Sequence, residues 1–236
     1  MLQYLLNTIL TLLFPQECKL CGESVEEAAL GVCCARCWSD QKHSLKGGCP
    51  KCSFPHPKSN SSTTCKHCAD DHYDSVSYVG AYDGPVRQQI LELKRTRNIP
   101  PLLVELIKRE FRNSPFLNAD LIVPVPLSKK RMLRRGYNQA VEIAKIIETD
   151  IGIDLDETAL VRRKHSDTDR TGMDNKGRRM SVERAFVSEP DNNIEGKKIV
   201  LVDDVFTTGA TVSECARELK RKGALRVDVF AIARRT

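Results

Sequence analysis

Eight cysteines arranged as four Cys-x-x-Cys pairs constrain this chain more than any other feature of its 236 residues. The pairs are Cys18/Cys21, Cys34/Cys37, Cys49/Cys52 and Cys65/Cys68, and they fall into two successive quartets. A Cys-x-x-Cys turn aims two sulfurs at one ion, and two such turns complete a tetrahedron with no open position. Closed sites of this kind are structural. Zinc is the expected ion, and iron would suit the same sulfur cage. Ten cysteines in a short secreted chain would read as disulfides, but repeated metal-ligand spacing points instead to a reducing, cytoplasmic setting. Cys33 adjoins Cys34 and falls outside the pair spacing. Cys215 shares one helical face with Val212, Ala216 and Leu219, which makes it a core residue.

His43, His56, His67 and His72 are surplus to two filled quartets, so solvated or locally bonded imidazoles are expected there. Gly22, the Gly47-Gly48 pair and the serine- and threonine-rich run at 59–64 supply the turns that ribbons need.

The cysteines also change how net charge reads. The formal value is +6 at pH 7, but cysteine bound to zinc is thiolate. Eight thiolates and two Zn2+ together remove four charges, leaving the loaded chain near +2. The first 70 residues hold seven Lys/Arg and six Asp/Glu, so that part becomes acidic, about −3, with both ions bound. A small acidic zinc module is a poor electrostatic footprint for DNA.

The opening run MLQYLLNTILTLLFP lacks the basic start and small-residue cleavage site of a secretory leader. It is also shorter than the roughly 20 apolar residues of a transmembrane span. Leu2, Leu5, Leu6, Ile9, Leu10 and Leu13 recur at helical spacing and predict an amphipathic helix over 1–14 docked on the fold. Its polar face lacks the basic residues of membrane-surface helices. A double zinc ribbon is expected over 15–72.

After residue 72 strands and helices alternate, which predicts an α/β domain with a mostly parallel sheet over 73–236. Strands are expected at 75–82, 121–125, 198–202 and 227–233. Helices are expected at 85–94, 101–112, 138–148 and 210–222. Val141, Ala144 and Ile147, with Ala140 and Ile143 beside them, form the core stripe of the third helix. The stretch 161–180 is polar, basic and aperiodic, as long functional loops are.

The most informative segment is Ile199-Val200-Leu201-Val202-Asp203-Asp204-Val205-Phe206-Thr207-Thr208-Gly209-Ala210-Thr211. An apolar strand ends in two acids, and hydroxyl and glycine residues then open a helix. Open α/β sheets bind ligands at the carboxyl ends of their strands. Backbone N–H groups, hydroxyls and a helix amino terminus suit one phosphate dianion. Two adjacent carboxylates would repel that dianion, so Asp203 and Asp204 need other partners, such as ribose hydroxyls or Mg2+.

This segment is similar to the phosphoribosyl-diphosphate motif of type I phosphoribosyltransferases, and the whole chain resembles the ComF family, known for a role in DNA uptake during competence. Phe14-Pro15, both cysteine quartets, Leu93-Lys94, Val123-Pro124-Val125-Pro126-Leu127, Arg135-Gly136-Tyr137-Asn138-Gln139, Ala185-Phe186 and the segment above all stand in family order. The resemblance implies a phosphoribosyltransferase-like fold over 73–236 behind the zinc ribbon. It implies that Asp203 and Asp204 hold the ribose hydroxyls. Thr207, Thr208, Gly209, Ala210 and Thr211 would hold the 5′-phosphate. Val125 and Pro126, with Arg135, Asn138 and Gln139, would approach a diphosphate that carries Mg2+. The chain departs from the pattern at Arg170 and Ser181, where a glutamine and an asparagine are expected in the loop that closes over substrate.

Lys129, Lys130, Arg131, Arg134 and Arg135 form a dense basic run beside the expected site. A solvated face, a grip on diphosphate and a nucleic-acid contact all suit it, and adjacency favours diphosphate for Arg135. His165, in the basic loop, is expected to be exposed. The expected chemistry is substitution at the anomeric carbon of phosphoribosyl diphosphate, driven by positioning and electrostatics. Two other classes stand beside it: a non-catalytic sensor of that diphosphate, and a factor that handles single-stranded DNA with competence proteins. A DNA platform should interleave exposed aromatics with basic residues. Aromatics are 6% of this chain, and its single tryptophan, Trp38, follows a metal ligand directly.

Overall fold

The computed structural model describes residues 16–41, 48–54, 65–66, 68–163, 185–188 and 194–235. The helix expected over 1–14 lies outside them, as do Phe14-Pro15, Gly47, the run at 59–64, His43, His56, His67, His165, Arg170, Ser181 and the loop from 164 to 180. In chain order the elements are α1 (Ala35–Ser39), β1 (Val76–Ala81), α2 (Gly84–Leu93), α3 (Pro101–Arg112), β2 (Leu121–Pro124), α4 (Lys129–Arg135), α5 (Gln139–Ile151), β3 (Val161–Arg162), β4 (Phe186–Val187), β5 (Lys198–Phe206), α6 (Ala210–Arg221) and β6 (Arg226–Arg234).

Four strands make one parallel sheet in the order β1-β6-β5-β2. Its strands are apolar because helices and ribbons cover both faces. Leu121, Val123, Ile199, Leu201, Val227 and Val229 pack on one side with Val212, Cys215, Ala216 and Leu219 of α6. Ile122, Val200, Val202, Phe230 and Ile232 pack on the other with Leu103, Ile107 and Phe111 of α3 and Ile143, Ala144 and Ile147 of α5. Phe230 meets Phe111 edge to face at 5.2 Å, and truncating such a core aromatic to alanine costs about 3–5 kcal/mol.

The two quartets join different cores. Cys49, Cys52, Cys65 and Cys68 belong with the α6 side, whereas Cys18 and Cys34 belong with the α3 side. Gln89 of α2 and the indole of Trp38 both donate to the Leu30 carbonyl, at 2.8 and 3.0 Å, which fastens the first ribbon to α2.

Three differences from expectation bear on the ligand site. Residues 129–135 form a helix without an apolar stripe, defined by its ends: Ser128 Oγ accepts from the Arg131 N–H at 3.3 Å, and Gly136 stops it at φ 78°. Val161–Arg162, expected as loop, pairs antiparallel with Phe186–Val187. A ladder of two residues is too short to leave a periodic signal. Finally, β5 runs on past Val202 to Phe206. Pairing with β2 ends at Val202, but pairing with β6 continues to Phe206 opposite Arg234. The β2-facing edge of 203–206 therefore borders a cleft.

Candidate functional site

The cysteine quartets form two compact sulfur cages. Cys18 and Cys37 sulfurs are 3.8 Å apart, and those of Cys21 and Cys34 are 3.6 Å apart. In the second set Cys49 to Cys68 and Cys52 to Cys65 are each 3.5 Å, and Cys65 to Cys68 is 3.6 Å. A tetrahedron with Zn–S bonds of about 2.3 Å puts its sulfurs about 3.8 Å apart, whereas a disulfide needs about 2 Å. All four sulfurs in each set lie within 4.8 Å of one another. Both sets therefore fit zinc. In the second set the Cys65 N–H also donates to Cys49 Sγ at 3.2 Å, a bond that stabilises thiolate. That set is wholly buried; in the first, Cys21 is exposed.

A second locus is a cleft of about 490 Å³ at the carboxyl ends of β2 and β5. Its lining includes Asp203, Asp204, Thr207, Thr208, Ala210 and Thr211 on one side, and Val125, Pro126, Arg135, Asn138 and Gln139 on the other. The segment read from its own residues, 203–211, thus meets the two segments that the family resemblance implied, at 125–126 and 135–139, in one place. Gly209 is the exception. It is buried beneath the turn at φ 77°, and being a glycine it brings no capping side chain to the amino terminus of α6.

The acid pair is held asymmetrically. The Asp204 N–H donates to Asp203 Oδ1 at 2.8 Å, and Lys94, at the end of α2, pairs with Asp204 Oδ2 at 2.7 Å. Burial, and next the like charge of Asp204, push the Asp203 carboxyl well above the usual carboxylate range, with Lys94 offsetting part of the rise. The Arg135 guanidinium donates to Gln139 Oε1 at 2.7 Å. Burial lowers its pKa and Asp204 opposes that. Asn138 shapes the turn: its oxygen caps α5 through the Ala140 N–H at 3.1 Å, and its nitrogen donates to the Val125 carbonyl at 3.0 Å.

Sequence reading did not anticipate Lys94 as a partner of Asp204, nor Arg162 and Arg235 in the lining. Lys94 and Asp204 are brought together by tertiary packing alone, and no local spacing announces it. The basic run divides: Lys130, Arg131, Arg134 and Arg135 line the cleft, and Lys129 does not.

Residues 92–236 match the family model described as phosphoribosyl transferase domain, and residues 9–69 match the double zinc ribbon domain. Fold and site together define a phosphoribosyl transferase-domain protein with two structural four-cysteine zinc-ribbon sites. The chain is 30% identical over 210 residues to Competence protein F of Haemophilus influenzae, covering 82% of this chain and 91% of that one. It is 32% identical over 232 residues to DNA utilization protein YhgH of Salmonella typhimurium, covering 93% and 97%. Competence protein ComFC of Bacillus subtilis is 33% identical over 119 residues, 48% of this chain and 44% of its own. The chain belongs to the ComF family. Among solved structures, a glutamine phosphoribosylpyrophosphate amidotransferase from Bacillus subtilis complexed with ADP and GMP aligns over 57% of this chain and 28% of its own length, at 20% identity and a TM-score of 0.38. Among the described residues no helix is long and apolar enough to cross a membrane.

Proposed function

We propose that the cleft binds phosphoribosyl diphosphate together with Mg2+ and transfers the phosphoribosyl group to a nucleophilic acceptor. The observation that carries this reading is the convergence of the acid pair, the hydroxyl-rich turn at the head of α6 and Arg135 on one cleft. Each meets a different part of the ligand. Asp203 and Asp204 accept from the 2′- and 3′-hydroxyls, since carboxylates are acceptor-only groups that a diol satisfies. Thr207, Thr208 and Thr211, with the amino terminus of α6, take the 5′-phosphate. Arg135, and the turn at Val125 and Pro126 that Asn138 holds, face the diphosphate. Mg2+ bound with the ligand would supply further neutralisation of the leaving group, and Asp203 and Asp204 are the acidic side chains of the cleft that would face it.

In the transfer, the bond from C1′ to the diphosphate oxygen breaks, and the diphosphate leaves with the electron pair. The acceptor lone pair forms the new bond to C1′ on the opposite face. Arg135 stabilises the charge that develops on the departing oxygen, where fixed cations act most strongly. No protein nucleophile takes part. The cleft also bears Lys130, Arg131, Arg134, Arg162 and Arg235, and relatives are named for competence and DNA utilization. A second role in handling single-stranded DNA draws on that charge, but no aromatic residue lines the cleft among the described residues, so base stacking does not support it.

Calorimetry with phosphoribosyl diphosphate and Mg2+ tests binding, and release of inorganic diphosphate with a panel of amine and base acceptors tests transfer. Micromolar binding with acceptor-dependent release supports the transferase. Binding without release from any acceptor supports a sensor, and no binding refutes both.

A further inference from the structure

The second four-cysteine site and the turn at 207–211 are joined by a continuous set of buried contacts. Arg234, at the end of β6, is 3% exposed and donates from Nη1 to the Cys52 carbonyl. Its Nη2 lies 3.9 Å from Cys52 Sγ. The guanidinium stacks on Phe54 at 5.5 Å and on Phe206 at 4.9 Å. Phe206 is the residue directly before Thr207. A second route starts at Asp71, whose N–H donates to the Cys68 carbonyl at 3.2 Å. Asp71 Oδ2 accepts from Tyr73 Oη at 2.8 Å, and the Tyr73 ring meets Phe206 edge-on at 5.6 Å. Lys51, inside the Cys49/Cys52 turn, donates to the Asp71 carbonyl at 2.6 Å. Both routes close over Gly209: a Cβ there would lie 3.0 Å from the Phe206 ring and 3.2 Å from Asp71 Oδ2 and Tyr73 Oη. The His72 N–H donates to Ser213 Oγ, in the first turn of α6, at 3.0 Å.

We infer that the second four-cysteine site positions the phosphate turn, with Arg234, Tyr73 and Asp71 as positioning residues, so that metal occupancy there and 5′-phosphate binding are energetically coupled. Metal draws two Cys-x-x-Cys turns into one cage, and that cage fixes the Cys52 carbonyl and the Asp71 backbone. Those are the anchors from which Arg234 and Tyr73 brace Phe206. Loss of the ion frees both anchors, and a buried guanidinium whose acceptor has moved must follow it. The first quartet reaches α2 through Leu30 and Gln89 instead, on the other face of the sheet. This inference rests on the phosphate-binding reading of the turn only for its ligand; the contacts themselves do not.

Hydrogen exchange of ligand-free, zinc-loaded protein therefore tests it first, by comparing parent, Cys49→Ser, Cys21→Ser and Tyr73→Phe. Exchange in peptides covering 206–213 should speed up at least about fivefold in Cys49→Ser, the lower end of what coupled sites show. Cys21→Ser should affect chiefly its own ribbon and α2. Tyr73→Phe, which keeps the ring and removes only the hydroxyl, should loosen 206–213 while retaining two zinc ions. Coupling is reciprocal, so saturating ribose 5-phosphate should slow chelator-driven release of one of the two ions. Tyr73→Phe should weaken ribose 5-phosphate binding while leaving inorganic diphosphate binding unchanged. Exchange at 206–213 that is the same in parent, Cys49→Ser and Tyr73→Phe overturns the inference. Failure of the parent to bind ribose 5-phosphate, with the exchange differences present, refutes the ligand reading alone.

Discussion

Replacing Gly209 by alanine measures how tightly the turn at 207–211 is held. Gly209 has φ 77° and ψ −9°, a conformation that costs an L-residue about 1–2 kcal/mol. The new methyl would also crowd Phe206, Asp71 and Tyr73 at 3.0 to 3.2 Å. None of the three has room to withdraw, since they are only 3%, 6% and 1% exposed. Overpacking of that kind costs a further 1–3 kcal/mol or so. Gly152 is the control, because it has φ 82° and nothing within 4 Å of the added carbon. Gly152→Ala should therefore lose about 1–2 kcal/mol and Gly209→Ala about 2–5 kcal/mol. At about 2–4 °C per kcal/mol for a chain of this length, the two melting temperatures should differ by at least about 2 °C. Scanning calorimetry at fixed protein and zinc concentration reads both. Equal shifts would show that the turn has slack, and the packing argument for it would fail.

Elemental analysis of the purified chain should find two metal ions per chain, and a strong chelator should unfold the ribbons, since structural metal binding is folding energy; a metal-free folded protein contradicts this. Binding of single-stranded DNA should be weak and fall steeply between 50 and 200 mM salt or thereabouts, as the loaded charge near +2 implies; tight, salt-insensitive binding overturns that ranking. Affinity for phosphoribosyl diphosphate should rise as pH is raised through the elevated pKa of Asp203. The sign follows because the protonated carboxyl accepts fewer hydroxyl bonds than the carboxylate. A titration by calorimetry at several pH values checks it, and Asp203→Asn should flatten the dependence.

Much of the scaffold was legible because it rests on period. The face of α6 formed by Val212, Cys215, Ala216 and Leu219 is buried as the spacing requires, and so is the α5 stripe. The quartets were legible because ligand spacing is a local property. Helix α4 was not, because its residues carry no apolar stripe; Ser128 and Gly136, which define its ends, were the available signal. The extension of β5 was hidden because two acids look like the end of a strand, whereas β6 pairs with them to Phe206. Lys94 on Asp204 and Arg234 on Cys52 are contacts across 110 and 182 positions, set by how the sheet and ribbons pack. No local rule reaches that far.

Calorimetry on the Asp203→Asn/Asp204→Asn protein with Mg2+ present tests most directly whether Asp203 and Asp204 serve a ribose diol. Hydrogen bonds to charged groups contribute on the order of 1.5–3 kcal/mol each, so affinity for phosphoribosyl diphosphate should fall at least about tenfold relative to the parent. If the acids were an idle turn, removing two negative charges beside a polyanion would leave affinity unchanged or raise it. A folded double variant that binds as tightly as the parent, or more tightly, contradicts the account.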